Sequence, residues 1–192
     1  AINLYARDTL ELMGEEDPDA LMIQSNQQVI EKMVVRIDRI LTDLKDTVAI
    51  EQGRLALNLA PMRLSKLLKE VSGTYFGKDA SGGNELVLDI DESLLPISAD
   101  YARIVQVVTN LLSNAIQHTK AGRIRISLYK QDGEQIVVIA DNGEGMKEEL
   151  QEQVFKGYIS SDKEYWRHGI GLYVSHQIVE AHGGRIWIES KL

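Results

Sequence analysis

The sequence predicts an α+β fold: a two-layer sandwich of helices on a mostly antiparallel sheet, preceded by an antiparallel helical hairpin. Strand and helix patterns alternate along residues 53–192 without the regular repeat of a parallel βαβ sheet, which favours the sandwich. Helical spacing in residues 1–52 predicts the hairpin, and Gly53 ends this pattern at the predicted domain boundary. Two helices bury their apolar stripes poorly alone, so we expect the hairpin to dimerise as a four-helix bundle.

The hairpin is predicted from the spacing of apolar residues and from helix-ending residues. Residues 2–13 form one predicted helix, because Gly14 and Pro18 prevent its continuation. A second helix is predicted over residues 19–49, with apolar residues spaced by three and four as in a coiled-coil stripe. These apolar positions are Ile30, Met33, Ile37, Ile40, Leu44 and Val48.

The second domain is predicted to mix strands with helices. The predicted strands are residues 54–60, 85–90, 123–129, 135–140 and 185–189. The strands at 123–129 and 135–140 form a hairpin that turns around Asp132 and Gly133. The predicted helices are residues 63–75, 100–119 and 169–181, and the predicted irregular segments are residues 77–84 and 145–168.

Composition excludes several classes of function. The formal net charge of −8 argues against binding to nucleic acid or to an anionic membrane, since both need basic surface. The absence of cysteine excludes disulfides, thiolate metal sites and cysteine nucleophiles. No apolar run approaches the ~20 residues of a membrane helix, so we expect no membrane contact from this chain. The chain begins without Met, and we expect it to be a fragment of a longer protein.

Polar residues recur on one face of the predicted helix at residues 100–119. Asn110, Asn114 and His118 are spaced by four residues, so they share a face that is distinct from the apolar face. Asparagine is a poor helix former, and two of them at this interval indicate a functional face. Solvated surface asparagines are the alternative interpretation of either residue taken alone.

A glycine-containing turn follows the apolar strand pattern of residues 136–140. It reads Asp141-Asn142-Gly143-Glu144-Gly145-Met146. Two glycines at alternate positions allow the backbone to turn sharply and to approach a ligand closely. A carboxylate at the strand end can accept a hydrogen bond from an amino group such as that of adenine. An ordinary Asp-Asn-Gly turn is the competing interpretation.

A second glycine motif, Gly169-Ile170-Gly171-Leu172, opens the last predicted helix. Glycines at a helix start expose backbone N–H groups to an anion, and the helix dipole adds favourable potential for phosphate. Close packing of the helix on the sheet explains the same glycines equally well when the motif is taken alone.

In their order and spacing, these motifs resemble the ATP-binding domain of sensor histidine kinases, within the GHKL ATPase superfamily. Residues 103–119 look like the family's N box, residues 141–146 like its first glycine box, and residues 169–172 like its second. Residues 154–156, Val-Phe-Lys, look like the F box, and Ile-Val-Glu-Ala-His-Gly-Gly at 178–184 completes the signature. Residues 26–60 resemble the second helix of the family's dimerisation domain and its exit, and residues 1–13 resemble the end of that domain's first helix.

The resemblance implies a site for ATP and Mg²⁺. Asn114 would give its side-chain oxygen to Mg²⁺, which prefers hard oxygen ligands, and Asn110 would help to hold the metal and the phosphates. Asp141 would accept a hydrogen bond from the adenine amino group. The other expected nucleotide contacts are Gly143, Gly145 and Met146 at the base, His118 and Thr119 at the pocket edge, Gly169, Gly171 and Leu172 at the lid, and Lys156 and Arg167 as phosphate cations. Packed or solvated side chains are the alternative for His118, Lys156 and Arg167.

The resemblance also implies the activity and the partners. The intact protein would transfer the γ-phosphate of ATP to a His, for relay to an Asp on the receiver domain of a response regulator. It would be a cytoplasmic homodimer joined through the N-terminal helices, with a membrane anchor elsewhere in the parent left open. The four histidines are His118, His168, His176 and His182. None of them lies where the family carries its phosphoacceptor, so this chain alone should not autophosphorylate.

Departures from the family pattern leave other functions open. Arg167 stands where a third lid glycine is common, and Gln117 stands where the N box often has Lys. A degenerate kinase that regulates by protein contact and a serine kinase of the anti-sigma type are the alternatives. ATP hydrolysis as the main reaction is disfavoured, because Asn110 stands where GHKL ATPases carry a catalytic Glu.

Overall fold

A computed structural model describes residues 30, 34, 37, 41–42, 45–49, 52, 55–76, 83–151, 153–155 and 169–191. The chain divides into two compact units, Ala1–Val48 and Ala49–Leu192. In the first unit, the described residues are helical, as predicted for the second N-terminal helix, and Ile30, Ile37 and Val48 of the apolar stripe are exposed. The first predicted helix lies outside the described residues, so the helical hairpin, its dimer and the boundary after residue 52 stay predictions.

The second unit is built from short strands and from helices of very different length. In chain order its elements are β1 (Ala60–Met62), α1 (Leu64–Tyr75), β2 (Glu85–Ile90), β3 (Ile97–Ala99), α2 (Tyr101–His118), β4 (Arg123–Gln131), β5 (Glu134–Asp141), α3 (Glu148–Gln151) and α4 (Gly169–Ala181). The long predicted helices and the β4–β5 hairpin are confirmed. The short elements β3 and α3 are additions that the sequence pattern did not predict.

The described strands form two sheets. A three-stranded sheet has the order β2-β4-β5, and a two-stranded sheet pairs β1 with β3. The β4–β5 pair is antiparallel, as predicted for the hairpin, and β1 and β3 are antiparallel as well, whereas β2 and β4 are parallel. Helix α2 lies in the crossover between β2 and β4, and a crossover of that length is what a parallel pair requires.

The main core lies between the three-stranded sheet and helices α1 and α2, which confirms the two-layer α+β sandwich. Alternate residues of β4 enter this core from one face of the sheet. Its most deeply buried members are Leu67, Leu68, Leu112, Ile124, Ile126 and Leu128. A second apolar cluster joins α2 to α4 and contains Val107 of α2 with Val174 and Ile178 of α4.

Two predicted strands are wrong. Residues 55–59 are not a strand, because only Ala60–Met62 forms strand hydrogen bonds, which join it to β3. Leu55 packs instead on the apolar cluster between α2 and α4. Residues 185–189 likewise form no strand, since no described strand pairs with them. Their segment is held instead by side chains, including an ion pair of Arg185 with Glu134 at 2.6 Å.

Asp100 fastens three parts of the second unit at the start of α2. Its Oδ1 accepts the N–H of Arg103 as the helix N-cap, and its Oδ2 accepts the N–H of Asn58 at 2.9 Å. Its own N–H donates to Nε2 of His182 at 3.0 Å. Because that nitrogen accepts, the imidazole is neutral and its Nδ1–H donates to the carbonyl of Ile178 at 2.7 Å. His182 is therefore a helix-end residue with a structural contact.

The Asp100 carboxylate should make stability depend on pH in the acid range. The hydrogen bond from the Asn58 N–H is the largest cause that holds the pKa of Asp100 below its ordinary value. Its stabilising effect is therefore complete above the unfolded pKa of about 3.9 and is lost as pH falls through the lower folded pKa. Asp100→Ala should cost about 1 kcal/mol of unfolding free energy at pH 7 and less at lower pH. Urea unfolding at pH 7 and in the acid range measures the difference. The exposed Asp89 provides the control variant Asp89→Ala, and equal pH dependence in wild type and Asp100→Ala would contradict the assignment.

Candidate functional site

The turn after β5 lies directly against the last residue of α2. A Cβ atom built on Gly143 would overlap the carbonyl oxygen of His118 and would lie 2.9 Å from Oδ1 of Asp141. Only glycine therefore permits this approach of the two backbones. Gly145 has a φ of 72°, in the left-handed region that favours glycine. Both glycines are required by the backbone of the turn, whatever they contact in addition.

Asp141 stands at the end of β5 on the helix-covered face of the sheet. The register pairs it with the core residue Ile124, and paired residues of neighbouring strands share a face. Its Oδ1 accepts the N–H of Gly143 at 2.9 Å, which fixes the orientation of the carboxylate. The side chain is exposed, so its second oxygen is available to a ligand with an N–H group.

The two asparagines of α2 lie in different environments. Asn110 is 1% exposed, and its Nδ2 donates to the carbonyl of Gly171 at 3.2 Å and more weakly to Oγ of Ser175 at 3.4 Å. It therefore holds the first turn of α4 against α2. Asn114 is half-buried one turn later and makes no side-chain hydrogen bond to the described residues, which leaves its amide available to a ligand.

His118 and Glu144 connect the end of α2 to the turn through their side chains. Nδ1 of His118 lies 2.7 Å from Oε1 of Glu144, and the glutamate is largely exposed. The sequence predicted His118 at the edge of a pocket, and the structure puts it beside the turn. Glu144 was not among the predicted site residues, since a charged residue in a turn is ordinarily solvated.

The loop between α2 and β4 contains a buried hydroxyl without a partner. Thr119 is 3% exposed, and its Oγ1 is the buried side-chain atom that lacks a hydrogen bond in the described part of the chain. Its backbone carbonyl accepts Nδ2 of Asn84 at 3.0 Å. Buried hydroxyls are normally bonded, so Thr119 would gain from a polar ligand atom or a water beside the turn.

Sequence patterns missed three residues that shape this loop: Asn84, Gly122 and Asn142. A Cβ on Gly122 would overlap Oδ1 of Asn142 and lie 2.5 Å from Cγ2 of Thr119, so no larger residue fits. Oδ1 of Asn142 also accepts the N–H of Arg123 at 2.6 Å. The Asn-Gly dipeptide at 142–143 was the one sequence signal for Asn142, whereas Gly122 and Asn84 gave no local signal of these contacts.

The remaining predicted residues lie at the start of α4, in the turn after β5, or outside the described residues. Gly169 and Gly171 lie in the first turn of α4, whose N–H groups have no partner within the helix. Leu172 is 6% exposed and packs in the core, so only its backbone can face a ligand. Met146 is half-buried, and its N–H donates to Oγ of Ser190 at 2.8 Å. Lys156 and Arg167 lie outside the described residues.

The F-box phenylalanine packs on helix α4. The ring of Phe155 lies 5.4 Å from the ring of His176, centroid to centroid. Nδ1 of His176 also lies 3.3 Å from Oε2 of Glu180, one turn further along the helix. His176 therefore has structural contacts on both sides, and Phe155 anchors residues 153–155 to α4.

The arrangement fits a nucleotide at both of its ends. The base end offers an oriented carboxylate on Asp141 and a close backbone surface at Gly143 that a Cβ would fill. The other end offers the amide of Asn114, which has no side-chain hydrogen bond to the described residues, and the first N–H groups of α4, which suit oxygen-rich and anionic groups. The residues present therefore match the chemistry of ATP with a hard divalent cation.

Comparison with known proteins identifies the domain. Residues 99–192 match the family described as histidine kinase-, DNA gyrase B-, and HSP90-like ATPase. The chain is 31% identical over 194 residues to the adaptive-response sensory kinase SasA of Synechocystis sp., covering 97% of this chain and 50% of that protein. The catalytic domain of histidine kinase ThkA is 29% identical with a TM-score of 0.60, covering 68% of this chain and 86% of that one. A structure of ThkA in complex with the response regulator protein TrrA shares the fold, at 23% identity and a TM-score of 0.65, covering 97% of this chain and 53% of that one.

The fold and these matches define the class as an ATP-binding domain of the GHKL type. More narrowly, residues 99–192 form a domain of the histidine kinase-, DNA gyrase B- and HSP90-like ATPase family, and the chain is homologous to sensor histidine kinases. Membership of this ATPase family implies that the domain binds ATP. The chain spans about half the length of the first curated relative, at 50%. Among the described residues, no helix is long and apolar enough to cross a membrane.

Proposed function

We propose that this chain is the Mg·ATP-binding catalytic part of a homodimeric, cytoplasmic sensor histidine kinase. In the intact protein, the γ-phosphate of ATP passes to a His outside this chain and then to an Asp of a response regulator receiver domain. The observation that carries the proposal is the approach of Gly143 to the His118 carbonyl. It brings the Asp141 carboxylate to the end of the helix that also carries Asn114.

The base end of the site is assigned to Asp141 and the turn that follows it. The free oxygen of Asp141 accepts a hydrogen bond from the adenine amino group. Gly143, Gly145 and Met146 line the base, with Thr119 at its edge, and the unpaired hydroxyl of Thr119 supports a polar partner there. His118 lies at the edge of the pocket, where its side chain contacts Glu144.

The phosphate end is assigned to α2 and the first turn of α4. Asn114 gives its side-chain oxygen to Mg²⁺, and the cation neutralises phosphate charge at a site of this acidic chain. Gly169, Gly171 and the N–H of Leu172 approach the phosphates. Asn110 helps to hold the metal and the phosphates, and its Nδ2 also fixes the carbonyl of Gly171 in the first turn of α4. Lys156 and Arg167 remain proposed phosphate cations.

The alternatives are less well supported than the kinase. A serine kinase of the anti-sigma type lacks dimerisation helices, whereas the described residues between 30 and 49 are helical and include exposed Ile30, Val34, Ile37, Leu41 and Val48. ATP hydrolysis as the main reaction needs a base to activate water. Asn110 stands in that place, and a side-chain amide is not a base, so it cannot take a proton from water. Its Nδ2 is bonded to the carbonyl of Gly171.

Asp141→Asn should weaken ATP binding by on the order of 1–3 kcal/mol. The amide can still accept the Gly143 N–H, but it then presents an NH₂ group to the adenine amino group. Titration calorimetry with ATP and Mg²⁺ measures the change. Asp132→Asn, the same substitution at the far turn of the hairpin, is the matched control because Asp132 has a φ of 51° that asparagine also adopts. Equal ATP affinity in wild type and Asp141→Asn would remove Asp141 from the site.

Phosphate transfer separates the kinase from the regulator. Mixed with labelled ATP and Mg²⁺, this chain should gain no acid-labile phosphate, because none of its four histidines stands where the family carries its phosphoacceptor. The protein extended upstream of Ala1 should gain it. Phosphate on this chain would show that one of its own residues is the acceptor. An extended protein that binds ATP and stays unlabelled would favour the degenerate regulator.

A further inference from the structure

Asn84 is a buried amide that lies outside every motif of the nucleotide site. It directly precedes β2 and is 7% exposed. Its Nδ2 donates to the carbonyl of Thr119 at 3.0 Å, and its Oδ1 accepts the N–H of Gly122 at 2.9 Å. One side chain thus bonds both ends of the loop that connects α2 to β4. A buried amide with its donor and acceptor both used is costly to replace.

The loop that Asn84 holds has little freedom of its own. Ala121 has a φ of 48°, an uncommon conformation for a residue with a side chain, so the surrounding contacts must maintain it. On the β2 side, the N–H of Glu85 donates to the Gly122 carbonyl at 2.8 Å. On the opposite side, Asn142 and Thr119 close around Gly122 and leave no room for a Cβ. The loop is therefore clamped between Asn84 and the glycine turn.

The position of this loop sets the position of the turn that follows β5. Thr119 directly follows His118, and the His118 carbonyl is the surface against which Gly143 lies. The N–H of Gly143 in turn orients Asp141. A shift of the loop therefore moves the His118 carbonyl, the turn and the carboxylate together. Misplacement of a binding group by about 1 Å is enough to lose much of its effect.

We propose that Asn84 is a positioning residue for the base end of the nucleotide site, which sets the affinity and selectivity for adenine through the Thr119–Gly122 loop and the Gly143 turn. The inference rests on the proposed assignment of Asp141 to the adenine amino group. Guanine carries a carbonyl oxygen where adenine carries that amino group, so an oriented carboxylate at Asp141 attracts adenine and repels guanine. Loss of the orientation removes the preference and leaves the phosphate contacts in place.

The test compares ATP with GTP on the full chain by titration calorimetry with Mg²⁺. Asn84→Ala removes both hydrogen bonds of the clamp, and Asn84→Asp keeps the acceptor for Gly122 while it loses the donor to Thr119. Each variant should lose about three- to tenfold in ATP affinity, the effect of one or two buried hydrogen bonds, with little change in the weaker GTP affinity. The ratio of the two affinities, and not the ATP affinity alone, is the readout.

Two controls separate positioning from loss of stability. Ile126→Val trims a fully buried side chain of the same sheet and should lower the unfolding free energy while it preserves the ATP-to-GTP ratio. Gly122→Ala disturbs the other side of the clamp and should reduce the ratio as the Asn84 variants do. Gly73→Ala, which meets no atom within 4 Å, is the matched glycine substitution and should leave the ratio unchanged. If Asn84→Ala does not fold, Asn84→Asp and Gly122→Ala carry the comparison.

The outcomes distinguish this inference from the proposed function. Failure of the wild-type chain to bind ATP would overturn the proposed function itself. Wild-type binding with an unchanged ATP-to-GTP ratio in the Asn84 variants would overturn the positioning role alone. Equal losses for ATP and GTP, in proportion to the unfolding free energy, would also overturn it, because they would show that Asn84 only stabilises the fold. A selective loss for ATP supports it.

Discussion

The close approach of the Gly143 backbone to the carbonyl at the end of α2 is the constraint on which the site depends. The apolar face of helix α2 packs in the main core, and Asp100 caps its first turn. Asp100 also bonds to Asn58 and His182. The turn can reach the helix end only because residue 143 has no side chain. That contact brings two features that are separate in sequence, a helix face and a strand end, together at the proposed nucleotide site.

Helix α2 distributes its polar residues between holding the site and forming it. Asn110 is buried and fixes the first turn of α4, whereas Asn114, one turn later, is left without a bond to the described residues. Two asparagines four residues apart on one helix therefore have different roles, and the role of each depends on how deeply its side chain is buried. In the proposed site, the bond of Asn110 to α4 would pre-organise phosphate binding, because less ordering would be needed when the nucleotide arrives.

Sequence patterns predicted what local spacing determines and missed what distant pairing determines. The bounds of α1, α2, β2 and α4 followed from periodicity and end signals. The predicted strand at residues 185–189 was wrong, because an alternating pattern does not by itself supply a neighbouring strand to pair with. The bond of Asn110 to Gly171 was not predicted, because the two residues lie 61 positions apart in the sequence. Asn84 was missed because its partners lie 35 and 38 residues along the chain, a separation that no local pattern reports.

Substitution of Gly143 by alanine, followed by measurement of ATP affinity with Mg²⁺, tests the central claim most directly. If the contact with the His118 carbonyl builds the site, Gly143→Ala should weaken ATP binding by about tenfold or more in the folded fraction. Gly73→Ala, on the exposed side of α1, should keep wild-type affinity and raise the unfolding free energy by about 0.5–1 kcal/mol. Wild-type ATP affinity in a folded Gly143→Ala protein would contradict the account.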